Sequence, residues 1–545
     1  MRPRQVVWRA RRLVPPRVLA AGIDADAGVS WRSLPRGLGV NPAPQTGESA
    51  PHRTRVFEAV GVSRPFPRAG FWDDSADGLL FLFHLHGFED LAAYAAVDDD
   101  SGDGFWAEVV ESWLAEHAVP RGPAWHPFPT SLRLISWSAA ISGIAGWPEA
   151  LKDRLAREVR RQALYLRRCV EHDIGGNHVL KNGVALGVSG VFLGDEAIQA
   201  AGMALLRREV AGQFLADGGH EERSTSYHRM VVHDLEDLRR ALGDESPPWL
   251  ADVVEAGTRW TEAMAGPDGR LPLLNDAWEG PALPSRSDEP LTVLAESGYF
   301  VFRHGQDQAT FDAGPLCPPH LPPHGHADAL SFVLWGDGRP VVVDPGAGAY
   351  TGAARNRFRA TSAHNTVEVD GESQCILWGD FRLAGLPTVR AAQPRHHADG
   401  VVTIAATHDG YRRLDDPAVH RRQFVWWPGG GVVVLDLLDA KTVHQASSRL
   451  HLAPGLEPGE GHRVGPFAAR ALGSGEARSV DAVYAPQVGA TRPAKALELA
   501  LTAEPGALFG WSLLRDGYEV ADMSTRELVL RREGGADLSV PLTWI

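Results

Sequence analysis

The chain has 545 residues, 44% of them hydrophobic and 22% charged, proportions that exclude a disordered, collagenous or coiled-coil protein. Single cores stop growing near roughly 250–300 residues, so two domains are expected. Lys and Arg number 54 against 68 Asp and Glu, a formal net charge of -14; this excludes a general nucleic-acid binder, which is normally basic, and leaves an acidic polymer only a local basic cleft.

No stretch approaches the roughly 20 apolar residues of a membrane span. Met1–Ala21 is basic, but Pro15-Pro16 and scattered arginines leave no apolar run of about 7–15 residues, so no signal peptide is expected there. Residues 1–70 read as an irregular lead-in rich in Pro, Gly and Arg. A helical region follows over 71–285. Leu151, Leu155, Val159, Ala163, Leu166 and Val170 step by three and four and place one stripe on a helix. Ile198 to Leu215 is another helix with a less clean face, and Met230–Leu242 and Trp249–Met264 are two more. Gly175-Gly176, Gly194-Asp195 and Asp217-Gly218-Gly219 supply the turns. The helical half is expected to end between residues 275 and 300, with the domain boundary at 280–295.

From 286 to 545 the pattern is antiparallel β. Phe332–Trp335, Gly336-Asp337-Gly338 and Val341–Val343 read as a hairpin, and Phe424–Trp427, Pro428–Gly431 and Val432–Leu435 repeat it. Short β-runs broken by Gly, Pro and Asp predict a sandwich. Three cysteines (Cys169, Cys317, Cys375) lie far apart, so neither a disulfide framework nor a CxxC knuckle follows.

Three polar islands stand out. Gly175-Gly176-Asn177-His178 precedes an apolar helix, and its plain reading is a helix start with Asn177 as N-cap. Asp217–His228 is a dense polar run whose plain reading is a solvated loop; Tyr227 fits that less well, because the chain has only 8 tyrosines. Pro322-Pro323-His324-Gly325-His326-Ala327-Asp328 is followed by Asp344 and by Ala363-His364-Asn365-Thr366. Two neutral imidazoles and a carboxylate from His326, Asp344 and His364 form a Zn2+ donor set; a hydrogen-bonded histidine cluster or a cupin-like metal site are the alternatives.

Taken together, seven pieces in order resemble the heparinase II/III-like polysaccharide lyases, a family that includes alginate lyases. They are Phe81–His86, Trp125–Arg133, Gly176–His178, Asp217–His228, His324–Asp328, Val343–Gly346 and Ala363–Thr366. The resemblance implies an incomplete (α/α) toroid followed by an antiparallel β-sandwich. It also implies cleavage of a uronic-acid-containing, acidic polysaccharide by β-elimination, and a periplasmic or envelope location, with a cytoplasmic one left open by the leading segment. Asn177 would hold the substrate carboxylate, and Tyr227 would act as acid and possibly base beside His178 and His324. His326, Asp344 and His364 would be the ligands of a mainly structural zinc. Arg133, Arg223 and Arg359, with Arg355 and Arg357, are candidates for a basic cleft; surface charge or structural ion pairs is their plain reading.

The residue types suit the chemistry. Loss of the weakly acidic C5 proton builds negative charge on the uronate carboxylate, which hydrogen-bond donors stabilise. A base takes that proton and an acid protonates the departing O4. Two rivals compete: a glycoside hydrolase on an α/α toroid, with Glu221 and Glu222 as its carboxylates, and a non-catalytic carbohydrate-binding or envelope-assembly protein.

Overall fold

The structure, a computed structural model, describes residues 8–11, 13–24, 28–40, 50–97 and 99–545; residues 1–7 and 12 of the basic leading segment lie outside them. The chain forms two compact units, one of residues 1–214 and 229–257, the other of 215–228 and 258–545. This differs from the sequence reading in which the domains follow end to end.

The first unit is helical. Helices run over Leu79–Gly87, Glu89–Ala95, Asp103–Glu116, Pro127–Gly143, Glu149–Cys169, Gly176–Leu193 and Glu196–Gln213. The stripe read at 151–170 is real: Leu151, Leu155, Val159, Ala163 and Leu166 are buried. Asp195 caps the helix Glu196–Gln213, its Oδ1 accepting from the Ala197 and Ile198 amides at 3.0 Å. That helix lies close against Gly176–Leu193 because small residues face it. A Cβ on Gly190 would fall 2.3 Å from the Gln199 amide nitrogen, and one on Gly202 would fall 2.5 Å from that of Gly187. The lead-in is more ordered than its composition suggests. Val56–Ala59 pairs with Val62–Pro65, and Leu34, Leu38, Phe57 and Phe66 are buried in the helical core. Phe57 meets Phe66, Phe71, Phe105 and Trp106 ring to ring; aromatic burial of this size overrides local Pro/Gly content.

The helix Pro248–Met264 ends earlier than the expected window. Gly266-Pro267 follows it, and Gly269 has φ 75°; proline cannot continue a helix and glycine takes the left-handed turn.

The second unit is built on antiparallel sheets. A five-stranded sheet runs in order through Leu291–Leu294, Tyr299–His304, Asp307–Asp312, Phe332–Gly336 and Arg339–Val342. It packs on an eight-stranded sheet through rings: Phe424 stacks on Phe302 at 5.3 Å and on Phe311 at 4.7 Å, the interdigitation of a sandwich core. Both expected hairpins form. At the first, Asp337 and Gly338 have φ 51° and 80°, the double left-handed turn that matches strand twist. One helix, Gly352–Arg359, interrupts the strands. Among the described residues, no helix is long and apolar enough to cross a membrane.

Candidate active site and metal centre

Tyr227 stands in the first turn of the helix Thr225–Leu242. The polar run before it is not a solvated loop: His220, Glu222, Arg223, Ser224, Thr225 and Ser226 are buried. Burial is tolerated because the side chains find partners in residues 272–278. Thr225 Oγ1 donates to the Pro272 carbonyl at 2.6 Å and Ser226 Oγ to that of Trp278 at 3.1 Å. Asn275 Nδ2 donates to the Arg223 carbonyl at 3.2 Å. The Tyr227 ring lies 3.9 Å from the His324 ring and meets Trp278 edge-on at 5.3 Å. Its hydroxyl is 2.7 Å from that of Tyr350. Burial and the negative charge of Asp276 push the Tyr227 pKa above the usual phenol value, against the Tyr350 hydrogen bond. Tyr227 therefore holds its proton at neutral pH and is a proton donor in the resting protein.

Asp276 organises the histidines. Its Oδ2 is 2.9 Å from His324 Nδ1, and its Oδ1 is 3.0 Å from His326 Nε2. Arg355 grips both oxygens, Nη2 at 2.7 Å and Nη1 opposite it. Burial alone would raise the Asp276 pKa, but the guanidinium and the two imidazoles hold it well below the carboxylate range. An ionised carboxylate only accepts, so the nitrogens that face it carry protons. On the other side of the ring, His324 Nε2 lies 3.5 Å from Glu222 Oε2.

The same logic assembles a set of residues that could hold a metal ion. One ligand atom each from His326, Asp344 and His364 lie within 4.8 Å of one another, and all three residues are buried. With Nε2–H given to Asp276, His326 keeps a lone pair on Nδ1. His364 Nδ1 lies 2.7 Å from Asp344 Oδ2. His326 Nδ1 and His364 Nε2 are buried atoms with no hydrogen-bond partner. Burial drives the His326 pKa down to about 4, which keeps the ring neutral. Two orphaned imidazole nitrogens beside a carboxylate, one backed by a second carboxylate, fit a zinc donor set. Gly325 sits between His324 and His326 because a Cβ there would come within 2.8 Å of Cys317 Cβ. Asn365 fixes the neighbouring backbone: its Nδ2 donates to the Phe332 and Val343 carbonyls at 2.8 and 2.9 Å.

Asn177 and His178 belong to the helical unit. The N-cap of their helix is Gly175, with φ 82°. Asn177 is thus inside the first turn and not the cap, the glycine taking the conformation a side chain resists. Asn177 is buried. His178 Nδ1 is 3.1 Å from Glu171 Oε1, and its ring lies 4.7 Å from Phe128. Asn182 Nδ2 donates to Glu171 Oε2 and to Ser131 Oγ, both at 3.0 Å.

The arginines expected to meet substrate do other work. Arg133 is fully buried: Nε donates to Gln162 at 2.8 Å, and Nη1 and Nη2 donate to the His86 and Ala124 carbonyls at 2.8 and 2.9 Å. Its guanidinium also lies 4.3 Å from the Trp113 ring centre. Arg223 gives its guanidinium to the Ser297 and Glu296 carbonyls. Arg359 is buried and donates to the Gly325 carbonyl at 3.1 Å and the Asp380 carbonyl at 2.9 Å. Cations so enclosed by carbonyls brace loops; they are not offered to a ligand. Sequence reasoning missed Asp276 and Tyr350. Asp276 lies in a stretch without periodicity, and only the scarcity of tyrosine could have marked Tyr350.

Two family models match, the heparinase II/III N-terminus over residues 82–295 and the heparinase II/III-like C-terminal domain over 286–528. A heparin-sulfate lyase of Bacteroides thetaiotaomicron is 23% identical over 370 residues, 54% of this chain and 52% of that protein. The FtsZ-localized protein C of Caulobacter vibrioides is 26% identical over 365 residues, 63% of this chain and 62% of that protein. The chain thus spans about half to three-fifths of the length of these curated relatives. Among solved structures, a heparinase III superposes with a TM-score of 0.75 at 16% identity, covering 99% of this chain and 98% of the other. A heparan sulfate lyase of Pedobacter heparinus superposes with 0.60 at 15% identity, covering 99% and 93%. The fold is the helical toroid and antiparallel β-sandwich expected from the sequence.

Proposed function

The chain belongs to the heparinase II/III-like family, and on that premise we propose that it is a polysaccharide lyase cleaving a uronic-acid-containing polysaccharide by β-elimination. One observation carries the reading: the ring of a proton-holding Tyr227 packs 3.9 Å from the ring of His324, whose Nδ1 is anchored by the ionised Asp276. In this scheme His324 Nε2 takes the C5 proton, and the C5–H electrons become the C4=C5 bond. The C4–O4 pair leaves with O4, which Tyr227 protonates. The imidazolium formed lies between the Asp276 and Glu222 carboxylates. By the family resemblance, Asn177 would hydrogen-bond the carboxylate as charge develops.

The metal reading goes with it. His326, Asp344 and His364 would hold Zn2+, which would supply a structural tie for the loop carrying His324 and not a reacting group. The heparin-sulfate lyases among the relatives support an acidic polysaccharide as substrate. A hydrolase needs two carboxylates flanking the bond, whereas Glu222 is buried beside His324.

The test is to incubate purified protein with uronate polymers and follow the ultraviolet absorbance of a double bond conjugated to the carboxylate. New reducing ends without that absorbance would identify a hydrolase. Binding with neither product would identify a non-catalytic protein.

A further inference from the structure

A short hairpin of the second unit, Ile376–Trp378 paired with Arg382–Ala384, breaks the burial rule of its neighbours. Ile376, Trp378 and Phe381 are 51%, 61% and 44% exposed, and Trp378 and Phe381 are the aromatics among the large hydrophobic side chains that the described residues expose. Scattered exposed hydrophobics are ordinary, but a cluster marks a contact surface. The hairpin is also held firmly from beneath. Arg359 Nη1 donates to the Asp380 carbonyl at 2.9 Å and Arg355 Nε at 3.1 Å. The Gly352 amide donates to Asp380 Oδ1 at 3.0 Å. The other end of Arg355 grips Asp276, the carboxylate that anchors His324. The hairpin turn is therefore linked to the proposed proton-transfer group, His324, through two side chains, Arg355 and Asp276.

Charge points the same way. Arg382 lies 4.9 Å over one face of the Trp378 ring. Arg382 itself is exposed, as is Arg357 on the helix Gly352–Arg359. A chain of net charge -14 repels a polyanion in general, so a local cationic patch is what would retain one. An indole offers a flat apolar face for the C–H side of a sugar ring, and guanidinium pairs with carboxylate or sulfate. We propose that this hairpin is a substrate subsite: Trp378 and Phe381 stack on sugar rings of the bound chain beyond the cleaved bond, and Arg382 pairs with their anionic groups. The class of ligand rests on the lyase reading above; the surface itself does not.

The experiment uses the full chain and three probes, heparan sulfate, chondroitin sulfate and alginate, with affinity measured by titration calorimetry and elimination measured separately by absorbance. For the polymer that wild type binds best, Trp378→Ala and Arg382→Gln should each weaken binding about tenfold, equivalent to about 1.4 kcal/mol. KM on that polymer should rise while kcat holds, the signature of binding shared by ground and transition states. Thermal midpoints should not move, because both side chains are exposed. Unchanged affinity and KM in both variants would overturn the subsite, as would failure of wild type to bind any of the three polymers. So would a change in sedimentation behaviour without a change in glycan affinity, which would make the hairpin a contact between copies of this chain. If wild type binds a polymer without eliminating it and the variants lose that binding, the subsite stands and the lyase reading falls. Elimination that is indifferent to both variants gives the reverse.

Discussion

Replacing Tyr227 by phenylalanine separates packing from chemistry at one position. The ring contacts with His324 at 3.9 Å and Trp278 at 5.3 Å survive. What is lost is one hydroxyl and its 2.7 Å bond to Tyr350. A single hydrogen bond contributes about 1 kcal/mol net, so the denaturant midpoint should shift little. Turnover should fall about 10²–10⁴-fold, the worth of a positioned acid, or roughly 3–5.5 kcal/mol at 1.36 kcal/mol per decade. Tyr350→Phe is the control, since it deletes the same bond from the other side and leaves the Tyr227 proton in place. It should match Tyr227→Phe in stability and lose much less turnover. The assay is the initial rate of double-bond formation on a uronate polymer, beside urea unfolding of each variant. A folded Tyr227→Phe with near wild-type turnover refutes the reasoning, and so does a Tyr350→Phe that is equally inactive.

Three further outcomes follow from other sites. His364→Ala should lose bound zinc and thermal stability together, because metal binding is linked to folding; elemental analysis that finds no zinc in active wild type removes the metal. Arg133→Ala should lower stability by about 3 kcal/mol or more through unpaired buried groups and leave KM alone, and a raised KM in a stable variant would return it to the substrate. In the sandwich, His408 Nε2 faces His420 Nδ1 at 3.1 Å and His420 Nε2 faces Asp436 Oδ1 at 2.8 Å. Burial lowers both imidazoles below 6.5, while Arg422 holds Asp436, against burial, at about 2. Groups depressed in the folded state stabilise it above their unfolded pKa and lose that contribution as pH falls. Stability should therefore drop below pH 6.5, and again from 3.8 towards 2. His408→Gln should flatten the first step, and a slope identical to wild type would contradict it.

The sequence was most legible where one period dominates. The stripe from Leu151 to Leu166 and the glycine-turned hairpins followed from local rules, since each needs only neighbours a few residues away. The trio of His326, Asp344 and His364 was also visible as a candidate donor cluster, and the three do come together, buried. Burial of polar side chains was not legible. Arg133, Arg223 and Arg359 look like surface cations by type, and only carbonyls supplied from distant segments turn them inward. Asp276 shows the same limit: its partners His324, His326 and Arg355 lie 48 to 79 positions along the chain.

The interleaving of the two compact units bears on how such a protein can be divided. The family models meet near residues 286–295, which invites a cut there. Yet the backbone changes unit at 214/215, 228/229 and 257/258, and the segment 215–228 that carries Tyr227 is stitched to residues 272–278. No single cut returns both units with continuous chains. Cut there, the N-terminal half would carry residues 215–228 and those after 257 away from the rest of the second unit, and modules exchanged between relatives at that seam would bring Tyr227 from one parent and His324 from the other. Co-inheritance of the two halves is thus built into the path of the backbone.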